Sequence, residues 1–259
     1  MRNIRNAVVV TMGLLLSQWA LADIGSRAEA VSLAAKERVL TQEMLKQYVL
    51  WGLGVRSRTA QKKLDKAMSE FDQSLQELTT YSVIDTEAMD IMEQAAAQWR
   101  QLSDIYRLAP SKYNVSELHQ GTNTLDRLLS RWALVVKPNN TNDLGGQDYV
   151  VSMLQQQAYG AQRIAALYNI KAMEVSTFDP VAYSAALEDY AKNTNVMKGL
   201  DYIEGGKVLV DKSAREFQRV EIQIDLSNKE GSYTPNLVAK ATESIMENML
   251  QLEAMYATP

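Results

Sequence analysis

The sequence predicts an all-α protein made of two tandem antiparallel four-helix bundles. Three observations predict it. Apolar residues recur at helical spacing along almost the whole chain, and no alternating run is flanked by hairpin turns. Turn formers cut the chain into eight such segments. The chain also resembles itself at an offset of about 120 residues.

The repeat is clearest where Thr41–Leu50 is set above Ala161–Ile170. Gln42 meets Gln162, Met44 meets Ile164, Tyr48 meets Tyr168, Leu50 meets Ile170, and Val55 meets Val175. With slips of one or two residues, Ala67-Met68-Ser69-Glu70-Phe71 then matches Ala186-Leu187-Glu188-Asp189-Tyr190, and Trp99 matches Phe217. The first copy is assigned to residues 23–137, with helices over 24–55, 59–81, 86–108 and 115–136. Residues 138–146, rich in Pro, Asn and Gly, read as a linker. The second copy takes 147–259, with helices over 147–175, 180–197, 207–226 and 235–256. Asp179-Pro180 and Thr234-Pro235 are N-cap and first-turn pairs that start two of them. Val208-Leu209-Val210 is too short to read as a strand within a helical pattern. Four amphipathic segments joined by short turns pack as an antiparallel bundle.

Residues 1–22 have the three-part layout of a secretory signal: Arg2 and Arg5, an apolar stretch from Ala7 to Leu16, and the small residues Ala20 and Ala22 around Leu21. Cleavage is expected after Ala22, which places the protein in the periplasm. A membrane anchor is the competing reading, but the run is short for a span and no second one follows. The whole chain has 27 basic and 31 acidic side chains, and the first 22 residues hold two of the bases and none of the acids. The expected mature chain is thus more acidic still, which argues against a nucleic-acid partner. Without cysteine and with His119 as the single histidine, neither a zinc site nor any cofactor is expected. His119 sits in a polar stretch and reads as exposed surface. Acid pairs such as Glu188-Asp189 fall on polar faces, Gly145-Gly146 and Gly205-Gly206 lack the flanks of a phosphate loop, and no enzyme is expected. Trp51, Trp99 and Trp132 read as a shared aromatic core, and Met246 and Met249 as packing.

The first helix carries the most information. At 100° per residue, Val31, Ala34, Ala35, Leu45 and Val49 form one stripe, and Leu33, Leu40, Met44 and Trp51 form another on nearly the opposite side. A surface helix has one apolar face. Two faces predict burial against its own bundle and against a partner, either the second module or another copy of the chain. Leu33, Leu40, Met44 and Trp51 are the expected partner interface. Arg38 lies in the middle of the first stripe. A guanidinium there needs an acid from a neighbouring helix, a bound anion or solute, or an exit to solvent.

The run Ala34-Ala35-Lys36-Glu37-Arg38-Val39-Leu40-Thr41-Gln42-Glu43-Met44-Leu45-Lys46 resembles the "AGRQRMLSQRMAK" helix of the type IV pilus chemoreceptor N-terminal (PilJ-type) domain, which is related to the first helix of nitrate/nitrite sensor kinases. The resemblance implies a duplicated, periplasmic four-helix sensory domain. It further implies that Arg38 matches an arginine that binds nitrate where two first helices meet. The pattern is divided between the copies. The family's second arginine is Glu43 here and its glycine is Ala35, while Ala158 replaces Arg38 in the second copy and Gln162-Arg163 keeps the "QR" pair. Arg38, Gln42, Gln162 and Arg163 are therefore the candidate ligand-binding residues, for a small anion or solute. With no spanning run beyond residue 22, such a module is expected to hand its state to a membrane receptor or kinase, to pair with a second copy of itself as a homodimer, or to act as a soluble binding protein. The alternative is a structural or adaptor protein that docks through its first helix.

Overall fold

The computed structural model describes residues 24–83, 85–136 and 146–257. The expected signal segment 1–22 and residues 138–145 of the expected linker lie outside the described residues. All regular structure among the described residues is helical. The helices are α1 (Arg27–Gly52), α2 (Ser57–Ser82), α3 (Thr86–Tyr106), α4 (Lys112–Val136), α5 (Gly146–Ala172), α6 (Pro180–Lys198), α7 (Gly206–Glu230) and α8 (Pro235–Ala257). Neighbours in sequence pack together, and α4 closes back on α1 while α8 closes back on α5. The result is two four-helix bundles in tandem. Val208-Leu209-Val210 lies in α7, as its surroundings require.

Local chemistry sets the helix ends. Ser26 and Asp85 adopt extended backbone and accept from the N–H groups of Glu29 and Ala88, capping α1 and α3. Asp179 caps α6 by accepting from Val181 and Ala182, and Pro180 supplies the preset first-turn φ. α1 stops before residue 55 and α5 before residue 175, because each runs into the same turn. Leu53, Gly54 and Val55 donate to the carbonyls of Val49, Trp51 and Leu50. Met173, Glu174 and Val175 donate to those of Asn169, Lys171 and Ile170, the same three bonds 120 residues later. The middle residue is left-handed in both turns, Gly54 at φ 72° and Glu174 at φ 55°.

The repeat extends into the cores. Phe71 packs on Trp99 with centroids 4.5 Å apart, and Tyr190 packs on Phe217 at 3.9 Å. The buried Tyr48 hydroxyl donates to the carbonyls of Ile105 and Leu108 where α3 ends. Tyr168 is placed the same way and accepts from the Thr234 N–H at 2.9 Å where α8 begins. The three tryptophans share the first core, and Trp51 is linked to Trp99 ring to ring through Tyr48 and Tyr106. Trp51 meets Tyr48 edge-on and Trp99 joins Phe71 and Tyr106. Trp132 sits apart against Tyr81 and donates to the Ser82 hydroxyl. Met249 is buried in the second core and Met246 packs against it.

The bundles lie side by side, joined mainly by α1 against α5. Cross-contacts pair Ser32 with Gln155, Arg38 with Tyr159, and Lys46 with Gln162. Both numbers rise together, so the two helices run parallel and nearly in register. Small residues such as Ala158 and Ala161 are fully buried at this level. The covering of α1 on its second side thus comes from α5 of the same chain.

Glu37 turns toward α2 and is buried, with neither carboxyl oxygen hydrogen-bonded. Burial holds its pKa well above the ordinary value, and the like charges of Asp72, Glu77 and Glu70 add to this. The nearby Ser74 hydroxyl works the other way, although it donates to the Glu70 carbonyl. An acid with a raised folded-state pKa costs stability as pH climbs above its unfolded value, by about 1.4 kcal/mol per pH unit until the folded pKa is reached. Glu37→Gln is therefore expected to raise the melting temperature at pH 7 and to have no effect near pH 4, as read by thermal unfolding across that range. Glu174 holds a left-handed backbone that costs a side chain about 1 kcal/mol, and its ion pair to Lys112 is exposed. Glu174→Gly is expected to stabilise the protein by about that amount in denaturant unfolding.

Candidate functional site

The candidate site lies where α1, α4 and α5 meet. Arg38 of α1 is half-buried, and its Nε donates to Asp126 Oδ1 of α4 at 2.7 Å. The other Asp126 oxygen accepts from the Tyr159 hydroxyl of α5 at 3.1 Å. The Arg38 guanidinium lies over the Tyr159 ring, with Cζ 4.5 Å from its centroid. One turn along α5, the Arg163 guanidinium stands 6.0 Å from the same ring and donates to the Tyr159 hydroxyl at 3.4 Å. Tyr159 is thus flanked by two guanidinium groups and tethered by one carboxylate.

The electrostatics differ for the two arginines. Burial works against the charge on Arg38, but Asp126 outweighs it and keeps the group protonated. Burial and Asp126 push the Tyr159 hydroxyl up, against the pull of Arg163 and Arg38, so it stays a donor. One Asp126 oxygen is taken by Arg38 and the other by Tyr159. Arg163 is half-buried and has no carboxylate within ion-pair distance among the described residues. A long hydrogen bond to a phenol leaves most of its five donors available.

Of the four residues expected to bind a ligand, Arg38 and Arg163 converge on Tyr159, while Gln162 faces the other way. Its amide Nε2 donates to the Thr242 carbonyl at 3.1 Å, and its oxygen accepts from Lys46. Gln42 is buried, with no hydrogen-bond partner for its Nε2. Of the expected partner interface, Met44 is buried in the first core, and Leu33, Leu40 and Trp51 pack partly exposed against it.

Tyr159 and Asp126 carry no sequence signal that would single them out. His119 is not surface, as its polar flanks suggest, but 6% exposed. It reaches the backbone of Thr177 beyond the end of α5. Burial lowers its pKa and Arg163 adds to that, so it is neutral near neutral pH. Its neighbours in sequence are polar, but the face it occupies on α4 is covered by the second bundle.

A second polar group ties the bundles together further along the seam. Lys46 is fully buried and donates to Glu43 at 3.0 Å and to Gln162. Gln47 bridges Glu43 and Glu243, at 2.9 and 3.3 Å. Glu243 of α8 also receives Arg56 at 3.1 Å and Lys63 at 2.9 Å. Burial alone would raise the Glu243 carboxyl, but Lys46, Lys63 and Arg56 together hold it below its ordinary value. Among the described residues no group of acids and histidine is placed to hold a metal ion, and no helix is long and apolar enough to cross a membrane.

No protein-family model, curated protein or solved structure matches the chain.

Removing one partner from a buried ionic group leaves the other unpaired, which costs about 3–5 kcal/mol. Lys46→Met is expected to cost that much in denaturant unfolding. Adding Glu43→Leu is expected to restore at least half of the loss, a coupling that a double-mutant cycle measures.

Proposed function

We propose that the protein is a periplasmic sensory module that binds a small solute at the seam between its two bundles and passes its state to a membrane receptor or kinase. A small anion such as nitrate is the first candidate. The observation that carries this reading is Arg163. Keeping a half-buried guanidinium without an acid partner costs free energy that an anionic ligand would offset. Arg38 lies across the Tyr159 ring and can turn its outer nitrogens to the same ligand, since Asp126 takes only its Nε. The resemblance of Ala34–Lys46 to the PilJ-type helix gives the reading its sensory class. The role is binding rather than turnover.

The seam also suggests how binding would be transmitted. A ligand shared by Arg38 and Arg163 adds an attraction between α1 and α5 and competes with Asp126 for Arg38. Its differential affinity for two seam geometries would shift the packing of the bundles. Docking of an adaptor through Leu33, Leu40, Met44 and Trp51 has less support, because those side chains already pack against the first core.

Isothermal titration with nitrate and nitrite tests the anion reading. Saturable heat is expected with the native protein, none with Arg163→Ala, and at least tenfold weaker binding with Arg38→Ala. Equal heats for native protein and Arg163→Ala, or no heat at all, would overturn it.

A further inference from the structure

The arginine pair opens onto a groove of about 880 Å³ between the bundles. That volume is far more than a bare inorganic anion fills, and it lies within the range of pockets that enclose drug-sized molecules. The groove runs down the seam from Arg38 and Arg163 toward the first turns of α1 and α5. Those turns contribute Glu29 and Asp148, which also line it. Because α1 and α5 are parallel and in register, the two acids lie at the same end. Along α1 and α5 the groove is therefore polarised, with guanidinium groups at one end and carboxylates at the other, while Asp189 of α6 adds a carboxylate beside Tyr190.

Glu29 accepts only from the Gly25 N–H, at 3.0 Å, and neither Glu29 nor Asp148 has a cation within ion-pair distance among the described residues. On α6, Asp189 and Lys192 also line the groove, and Lys192 pairs with Glu188 at 3.7 Å. Between the poles the walls alternate apolar and hydrogen-bonding groups: Val31, Ala133 and Val151, with Ser130, Ser152 and Gln156. At 1.5 Å per residue the rise from Glu29 to Arg38 is about 13 Å, and from Asp148 to Arg163 about 22 Å.

We propose that this groove takes a short linear peptide of about four to six residues with free ends. Its terminal carboxylate would lie on Arg163 and Arg38 beside the Tyr159 hydroxyl, and its terminal ammonium at Glu29 and Asp148. An extended chain advances about 3.3 Å per residue, so four to six residues span the two poles. The serine hydroxyls and the Gln156 amide along the way match the donors and acceptors of a peptide backbone. An alkyl amino acid of equal length would leave them without partners. A bare anion would use one pole and leave the other charged. The inference rests on the ligand site assigned above and replaces the bare anion with an anion that is one end of a longer molecule.

The test is isothermal titration of the native protein with penta-alanine and with a mixed-sequence pentapeptide pool, each with free, amidated or acetylated ends, beside nitrate. Circular dichroism confirms that each variant is folded. Free-ended peptide is expected to bind. C-terminal amidation or Arg163→Gln is expected to weaken binding at least tenfold, and N-acetylation or the pair Glu29→Gln with Asp148→Asn severalfold. If end-blocked peptides bind as well as free ones, the proposal falls. If no peptide binds while nitrate heat depends on Arg163, the peptide is overturned and the anion site stands. Peptide binding without nitrate heat overturns only the bare-anion version, and loss of both signals in folded protein overturns both.

Discussion

Helix α1 belongs to two interfaces at once, and most of the other arrangements follow from that. From Thr41 to Leu50 every residue of it is buried, although that stretch includes Gln42, Glu43, Lys46 and Gln47. A helix buried all round normally has an apolar sequence. Here the charge is retained because α5 and α8 bring complementary groups to it: Gln162 to Lys46, and Glu243 to Gln47. Burial of this ionic cluster is weak evidence for stability, since a well-packed apolar replacement can be as stable. What it does impose is register. Moving α1 by one turn along α5 would leave Lys46 without Gln162 and Arg38 without its tyrosine, and each mismatch is a buried polar group without a partner.

That register makes the site. With α1 and α5 parallel and offset by about 120 residues, Arg38 arrives beside Tyr159 and one turn from Arg163. The aromatic ring keeps the two guanidinium groups apart, and Asp126 from α4 offsets one of them. The candidate site thus depends on three helices from two bundles, while the turns that end α1 and α5 repeat bond for bond. The repeat supplies a scaffold of equivalent helices, and the departures from it supply the chemistry.

Much of this could be read from the sequence, and the parts that could not share a cause. Helix ends were legible because caps and breakers act locally, as at Asp179-Pro180. The pairs Tyr48/Tyr168, Phe71/Tyr190 and Trp99/Phe217 were legible because large aromatic residues in equivalent positions do equivalent packing. Arg38 on an apolar stripe pointed to a polar partner, but both apolar stripes of α1 pack on the first core, and α5 is met instead along Ser32, Val39 and Lys46. The partner itself, Asp126, is one of many acids on polar helix faces, and only the closure of α4 onto α1 selects it. Tyr159 is one of 12 tyrosines, and only the parallel packing of α5 gives it a role. His119 was misread for the same reason, since local polarity describes its neighbours in sequence and not the bundle that covers it.

The unequal sharing of the arginines has a physical rationale in the seam. A symmetric pair of parallel helices carrying arginine at both 38 and 158, and at both 43 and 163, would bring four guanidinium groups to one half-buried interface. Like charges at low effective dielectric repel strongly. The chain has Ala158 and Glu43 in two of those places. Ala158 packs into the second core, and Glu43 takes the Lys46 ammonium and the Gln47 amide. One arginine from each half remains, and the two meet across a single tyrosine. A tandem chain can hold such asymmetry because its halves mutate independently, which a homodimer with two identical first helices cannot do.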